Sequence, residues 1–410
     1  MSKNNKDFFE VKRQWSYIKD KLLDDYLSLY FSKVLQTKLP IVYIDCFSGP
    51  GKFKDGNDGS PLIALKRREE ALQKTTNKNP KIYAFFIEPI YYEELNKLIK
   101  ELNLSDKYGE IKVIKGTFED SLSIILNRFN DVHVFLYIDP FGIKSLDFSR
   151  LISICRKFKG RVELLLNFNT FGFIREACRV AGQSTNEEPK ELNERDFDDE
   201  ITPQSEITLN EIAGGSYWKD IIDEYKKNPS SDSILIAEKI FSKEYKKRLS
   251  ISTGGAFQYV LDIPIKYQGH RMPKYRMIYA TNHTDGCIEM ADNMIKRAND
   301  LDIENSGGQI SFLPVDVNQN IQKDKQLLKH EIKCFATEYL KKGPLHLNRF
   351  LSDFLCEKGI ICSSAEIRDI LKDFEKDGTI KVLRDPPSTI TGKNSTFWYE
   401  RSDKKIILTL

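Results

Sequence analysis

The stretch IVYIDCFSGPGKF, Ile41 to Phe53, runs β-branched and aromatic residues into Asp45 and Phe47 and then into Gly49-Pro50-Gly51. Such a run reads as a buried strand ending at an acid, followed by backbone without Cβ where a ligand can approach closely. The loop continues through KFKDGNDG to Ser60-Pro61, where Ser60 is expected to cap a helix and Pro61 to fit its first turn. The free amide hydrogens of that helix start would suit a carboxylate or phosphate. Phe53, not Ser or Thr, follows Lys52, so the P-loop pattern fails.

Outward from this strand the pattern alternates. Residues 10–35 carry Trp15, Ile18, Leu22, Tyr26, Leu29 and Tyr30 at helical spacing and read as one amphipathic helix. Strands are expected at 41–47, 82–87, 111–114, 133–138 and 161–167, with helical patterns between them, which argues for a parallel sheet covered on both faces. Residues 183–207 are polar and acidic and read as a surface insertion, part of a longer one over about 178–255. Two strands at 257–265 and 275–283, joined by a short connection, then read as an antiparallel pair. Five alternating strands followed by such a pair is the order of a methyltransferase-type Rossmann-like α/β sheet.

Acids and glycines recur at the expected strand ends. Glu88 closes IYAFFIEP at the tip of the second strand, where an acid can hold a ribose diol. After the third strand Thr117 stands where an acid would reach an adenine amine, leaving Glu119 or Asp120 as substitutes. The fourth strand ends in Asp139-Pro140-Phe141-Gly142. The exocyclic amine of a base is a poor nucleophile because its lone pair is conjugated into the ring. A carboxylate and a proline carbonyl accepting its hydrogens, with an aromatic ring stacked on the base, would draw it toward tetrahedral geometry, and Asp139, Pro140 and Phe141 offer those three groups. Asn167, Asn169, Phe168 and Phe171 fall at the fifth strand's end and either line a cleft or pack in the core.

These separated motifs, YIDCFSGPGKF…GSPLIAL, FFIEP, YIDPFG, LLLNFNTFG and IYATNH…GCIEM, resemble the three-Cys-motif partner family, TcmP, from the first helix to about residue 295. YIDPFG is also similar to the corresponding element of tRNA guanine-N2 methyltransferases. The resemblance implies a class I S-adenosylmethionine methyltransferase-like domain and a partner bearing a three-cysteine, radical-SAM-like motif. Asp45, Phe47, Gly49, Gly51, Glu88, Thr117 and Asp120 are then expected to bind S-adenosylmethionine, and Asp139, Pro140 and Phe141 to orient an amino nitrogen of a nucleic-acid base. The alternative is a catalytically silent subunit of the same fold that binds or regulates its partner, in phage defence.

Past Gln322, three helical segments precede TIKVLRD and STFWYERS, read as a hairpin, so domains are expected at 1–320 and 321–410, the second winged-helix-like. Ser363 or Ser364 is the expected cap of the third helix, with Glu366 close behind. From Lys325 onward there are 16 Lys and Arg against 12 Asp and Glu, a mild basic excess that hints at an RNA or DNA partner. The third helix carries only Arg368 and Lys372 before its last turn, so base reading by it looks thin.

Composition excludes other classes. The seven cysteines include no CxxC, as expected of reduced thiols in a cytoplasmic protein, and no Pro-Cys pair exists to serve a cytosine-C5 mechanism. No metal set, Ser-His-Asp arrangement, signal peptide or membrane span is expected, and a nuclease lacks its clustered carboxylates and lysine.

Overall fold

The computed structural model describes residues 14–140, 142, 143, 145–182, 203–266, 272–305 and 325–410. They fall into two compact units, Met1–Asn282 and His283–Leu410, which part earlier in the chain than the boundary at 320 that the sequence suggested.

In the N-terminal unit, α1 (Gln14–Val34) precedes β1 (Ile41–Asp45), α2 (Ser60–Lys74), β2 (Ile82–Ile87), α3 (Tyr92–Glu101), β3 (Ile111–Ile114) and α4 (Phe118–Leu126). Then come β4 (His133–Ile138), α5 (Phe148–Lys157), β5 (Val162–Phe168) and α6 (Thr170–Val180). Helices α7 (Pro203–Ala213), α8 (Trp218–Lys227) and α9 (Ser231–Ser252) come next, and β6 (Tyr259–Lys266) and β7 (Pro273–Thr281) close the unit. The seven strands lie in the order β3-β2-β1-β4-β5-β7-β6. β1 to β5 pair in parallel, and β7 runs antiparallel to both β5 and β6. This is the Rossmann-like methyltransferase sheet that the strand pattern predicts. Residues 183–202, most of the acidic stretch at 183–207, lie outside the described residues, and α7, α8 and α9 make up most of the rest of the expected insertion.

The strands of the sheet centre are buried along their whole length because helices cover both faces. Alternation assigns each residue a side. Val42, Ile44, Leu136, Ile138, Leu164 and Leu166 join the large core with α4, α5, α6, α8 and α9. The opposite positions, Tyr43, Asp45, Phe135, Tyr137, Glu163 and Asn167, are buried beneath α1 and α2. On that face Tyr30 packs 5.0 Å from Phe135, and Tyr26 donates to Glu163 Oε2 at 2.7 Å. Since Lys19 meets Asp139 at the far end of β4, α1 runs against the strands, its N-terminal half over their C-terminal ends. The buried stripe of α1 includes Leu22, Leu23, Tyr26, Leu27, Tyr30 and Phe31, whereas Leu29, expected to face inward, is exposed.

The C-terminal unit contains α10 (Thr284–Asn305), α11 (Lys325–Leu340), β8 (Leu345–His346), α12 (Leu347–Lys358), α13 (Ser364–Lys376), β9 (Lys381–Asp385) and β10 (Lys405–Thr409). Its sheet is antiparallel in the order β8-β10-β9. Phe335 meets Phe350 and Phe354 edge-on at 5.2 Å each and ties α11 to α12. Ser363 caps α13 in a reciprocal box with Glu366. The strand partner of β9 is 405–409, not STFWYERS at 395–402. Ile406 and Leu408 alternate into the core and are fully buried, while Phe397, Trp398 and Tyr399 stay partly or wholly at the surface.

Candidate functional site

The strand order reverses between β1 and β4, and parallel sheets bind ligands outside the carboxyl ends of their strands at such a point. Asp45 ends β1 there and is fully buried. Its Oδ2 accepts from Ser60 Oγ at 2.6 Å and its Oδ1 from the Phe47 amide at 3.3 Å. Ser60 therefore does not cap α2 as expected. Gly59 holds the cap position with no side-chain bond, Pro61 sits in the first turn, and the Ser60 hydroxyl is turned onto the acid. Burial raises the Asp45 carboxyl to about 7 despite these hydrogen bonds, and the charges of Asp139 and Asp20 push the same way.

The glycine loop is tightly built. Gly49 and Gly51 both adopt positive φ, and a Cβ on Gly51 would lie 2.6 Å from Leu95 Cδ1. Lys52 and Asp58 pair through an isolated antiparallel backbone bridge, and the Gly59 amide donates to the Gly51 carbonyl at 2.9 Å, so the loop doubles back and launches α2 beside its own start. Glu88 is buried at the end of β2. Its Oε2 accepts from the Gly49 amide at 2.8 Å, and its Oε1 from the amides of Ile90 and Tyr91 at 2.7 and 2.8 Å. The acid expected to face a ribose thus clamps the loop after β1 to the start of α3.

Asp139 follows β4 with both oxygens engaged. Lys19 Nζ donates to them at 2.9 and 2.6 Å, Asn167 Nδ2 donates to Oδ1 at 2.6 Å, and the Tyr137 hydroxyl lies 3.4 Å from Oδ2. Lys19 is buried, with its ammonium 5.2 Å from the centre of the Tyr275 ring. Asn167 is also buried, and among the described residues neither its Oδ1 nor the buried Tyr43 hydroxyl has a hydrogen-bond partner. Burial first, and then Asp139, Asp20 and Asp45, hold the Tyr137 phenol well above its usual range, so it stays a neutral donor.

The other expected site residues fall around this centre. Pro140 is half-buried, and Phe141 lies outside the described residues. Phe47 stacks on Phe118 at 5.6 Å. Thr117 caps α4 by accepting from the Asp120 amide and gives its hydroxyl to the Asp120 carboxylate at 2.9 Å, so these two residues satisfy each other. Asn169 caps α6 through the Gly172 amide, and Phe168 and Phe171 are core. The sequence reading missed Lys19 and the turn of Ser60 onto Asp45. A signal for Lys19 was present, since it lies four residues after Trp15, three before Leu22 and seven before Tyr26, a cation within the apolar stripe.

Among the described residues no group of His, Cys, Asp and Glu could hold a metal ion, and no helix is long and apolar enough to cross a membrane. The site is a carboxylate-rich corner, with Asp20 and Asp139 both in electrostatic reach of Asp45 and Lys19 on Asp139. A half-ionised buried acid and two unsatisfied buried oxygens suit a cationic, hydrogen-bonding ligand beside the glycine loop.

No protein-family model matches the chain, and no curated protein matches it. Among solved structures it aligns with the methyltransferase domain of bacterial CtHen1-CN at 12% identity, over 63% of this chain and 99% of that one, with a TM-score of 0.29. It aligns with SAH-bound Podospora anserina methyltransferase PaMTH1 at 10% identity, over 62% and 76%, with a TM-score of 0.27. It also aligns with a loganic acid methyltransferase with SAH at 10% identity, over 72% and 85%, with a TM-score of 0.26. Likeness at this level adds no weight to the fold, which stands on the strand order and direction of the sheet itself.

Proposed function

We propose that the N-terminal unit binds S-adenosylmethionine at the β1–β4 switch point and transfers its methyl group to an amino nitrogen of a nucleic-acid base. The observation that carries this is the buried Asp45 at about 7, beside Asp139 and Asp20 in the corner next to the glycine loop. That environment penalises an added anion and rewards a cation, and S-adenosylmethionine is distinguished from its product by a sulfonium charge.

When bound, S-adenosylmethionine supplies a methyl group already activated by that sulfonium, so alignment provides most of the rate. The chain's own residues supply the geometry. Glu88 fixes the Gly49 loop, Gly51 lets that loop pack tightly on Leu95 and Leu98 of α3, and Asp45 ionises opposite positive charge. Asp139 and the Pro140 carbonyl accept the hydrogens of the incoming amine, with Asn167 holding Asp139 in place. Because Lys19 occupies both oxygens of Asp139, the amine has to share that carboxylate or displace the ammonium.

The same occupancy favours a second reading, in which the fold is a catalytically silent binding or regulatory subunit. On either reading the motif resemblance supports a partner with a three-cysteine, radical-SAM-like motif, the cysteines without a CxxC support a cytoplasmic setting, and the silent reading carries with it a place in phage defence. The helix order and the β8-β10-β9 sheet support reading the C-terminal unit as a winged helix that handles nucleic acid. The test is transfer of tritiated methyl from S-adenosylmethionine to total RNA and to DNA. Methylation lost in Asp139→Ala, with cofactor binding kept, supports the enzyme. Saturable cofactor binding without transfer by the unmodified chain supports the silent subunit.

A further inference from the structure

We propose that the hairpin of the C-terminal unit, residues 381–405, and not α13, is a binding surface for single-stranded nucleic acid. In a unit whose last helix precedes a hairpin, α13 is the expected groove-reading element. Its start is committed elsewhere: the Ser364 amide and hydroxyl both donate to Asp292 of α10, at 2.7 and 2.5 Å, and Ser364 is buried. The exposed positions along it, Ala365, Glu366, Asp369, Asp373 and Lys376, are predominantly acidic. Its two lysines are paired within the helix, Lys372 to Asp369 at 2.7 Å and Lys376 to Asp373 at 3.9 Å. Arg368 is half-buried and donates to Ser364 Oγ at 2.9 Å, so a phosphate chain approaching this face meets repulsion and two lysines already paired.

The hairpin has the opposite character. It carries six Lys and Arg against three Asp and Glu, while α13 carries three against four. One of the hairpin's acids, Glu400, is turned inward, with its carboxylate on the amides of Asn348 and Ile406 at 2.8 and 3.0 Å and on His346 Nδ1 at 3.1 Å. Lys381, Lys393, Arg401, Lys404 and Lys405 form no ion pair among the described residues, and all but Lys404 are exposed. They are interleaved with rings: Arg401 lies 4.8 Å from the centre of Tyr399, and Lys404 lies 4.7 Å from Tyr399 and 5.3 Å from Phe397. Arg384 stands 5.4 Å from Trp398 and is anchored by two bonds to Glu375, which holds that ring at the base of the hairpin.

Unpaired cations alternating with partly exposed aromatic rings are what a single strand uses, phosphates on the cations and bases against the rings. A duplex hides its base faces and would leave the rings without purpose, and an acidic protein would use the charges alone. The inference deepens the nucleic-acid reading of this unit and does not depend on the cofactor site.

The test is fluorescence anisotropy of the full chain with a fluorescein-labelled 20-nucleotide poly(U) strand, without S-adenosylmethionine, so that failure here leaves the cofactor reading standing. The hairpin variant Lys393→Glu/Arg401→Glu/Lys404→Glu should bind at least about tenfold more weakly, and its log-affinity against log-salt slope should flatten by about 2, roughly 0.7 for each of three lost phosphate contacts. The helix variant Lys372→Glu/Lys376→Glu should stay within about twofold of the unmodified chain, and Trp398→Ala should weaken binding with the salt slope unchanged, as stacking does. Thermal melts of each variant check that the fold is kept. The proposal is overturned by no binding at 50 mM salt, by equal loss in the helix variant, or by tighter binding to a 20-base-pair duplex than to the strand.

Discussion

Two buried charge networks sit on the same sheet and obey opposite rules. At the antiparallel edge, Arg276 grips Glu238 through two bonds at 2.6 and 2.7 Å and reaches Asp262 at 2.5 Å, while Lys246 takes the other oxygen of Asp262. Thr170 and Ser242 fill remaining acceptor positions. Two cations face two carboxylates, and Lys246 and Arg276 overcome the cost of burial to hold Asp262 well below the usual carboxylate range. At the β1–β4 switch point, Asp20, Asp45 and Asp139 share one corner, Lys19 sits on Asp139, and Asp45 rises to about 7. The edge pairs its charges within itself, whereas at the switch point burial and neighbouring carboxylates hold Asp45 raised, which is the environment the proposed cation would answer.

The sharpest way to break this contrast is to remove one partner from each network. Glu238→Ala strands Arg276 without its bidentate partner and should cost about 3–5 kcal/mol in urea unfolding. Lys19→Met leaves Asp139 beside other carboxylates. Because Asp139 is partly solvated, the cost is smaller, about 1–3 kcal/mol.

Asp45→Asn should go the other way. A carboxyl whose folded pKa is raised holds its proton while the unfolded chain ionises, so its contribution to stability is lost as pH rises from about 4 through 7. The amide avoids that loss and should stabilise the unliganded fold by on the order of 1–2 kcal/mol at pH 8, with no gain at pH 4. The smallest effect is expected for Ser60→Ala, about 1 kcal/mol, larger at pH 8 than at pH 5 because the hydroxyl serves the ionised acid best. A destabilising Asp45→Asn at pH 8 would erase the distinction between the two networks.

The sheet was legible because its signals are local. Largely apolar runs at 82–87 and 133–138 became strands at those positions, since buried parallel strands need little beyond composition and length. The acids at strand ends were legible as well, but their partners were not. Asp45 meets Ser60, Glu88 meets Gly49, and Asp139 meets Lys19 across separations of 15, 39 and 120 residues, which no local spacing encodes. In the C-terminal unit the aromatic STFWYERS outranked KKIILTL by strand propensity. Burial decided otherwise, because Ile406 and Leu408 could both turn into the core.

The most direct test of a cation-seeking switch point is calorimetric titration of the unmodified chain with S-adenosylmethionine at pH 6 and pH 8, with Asp45→Asn as the control. Ionisation of Asp45 should tighten binding by about tenfold between the two, one pKa unit being about 1.4 kcal/mol. The variant should bind weakly and with that step removed. Absence of saturable binding, or an affinity with the same pH dependence in both proteins, would contradict the assignment of this corner to the cofactor.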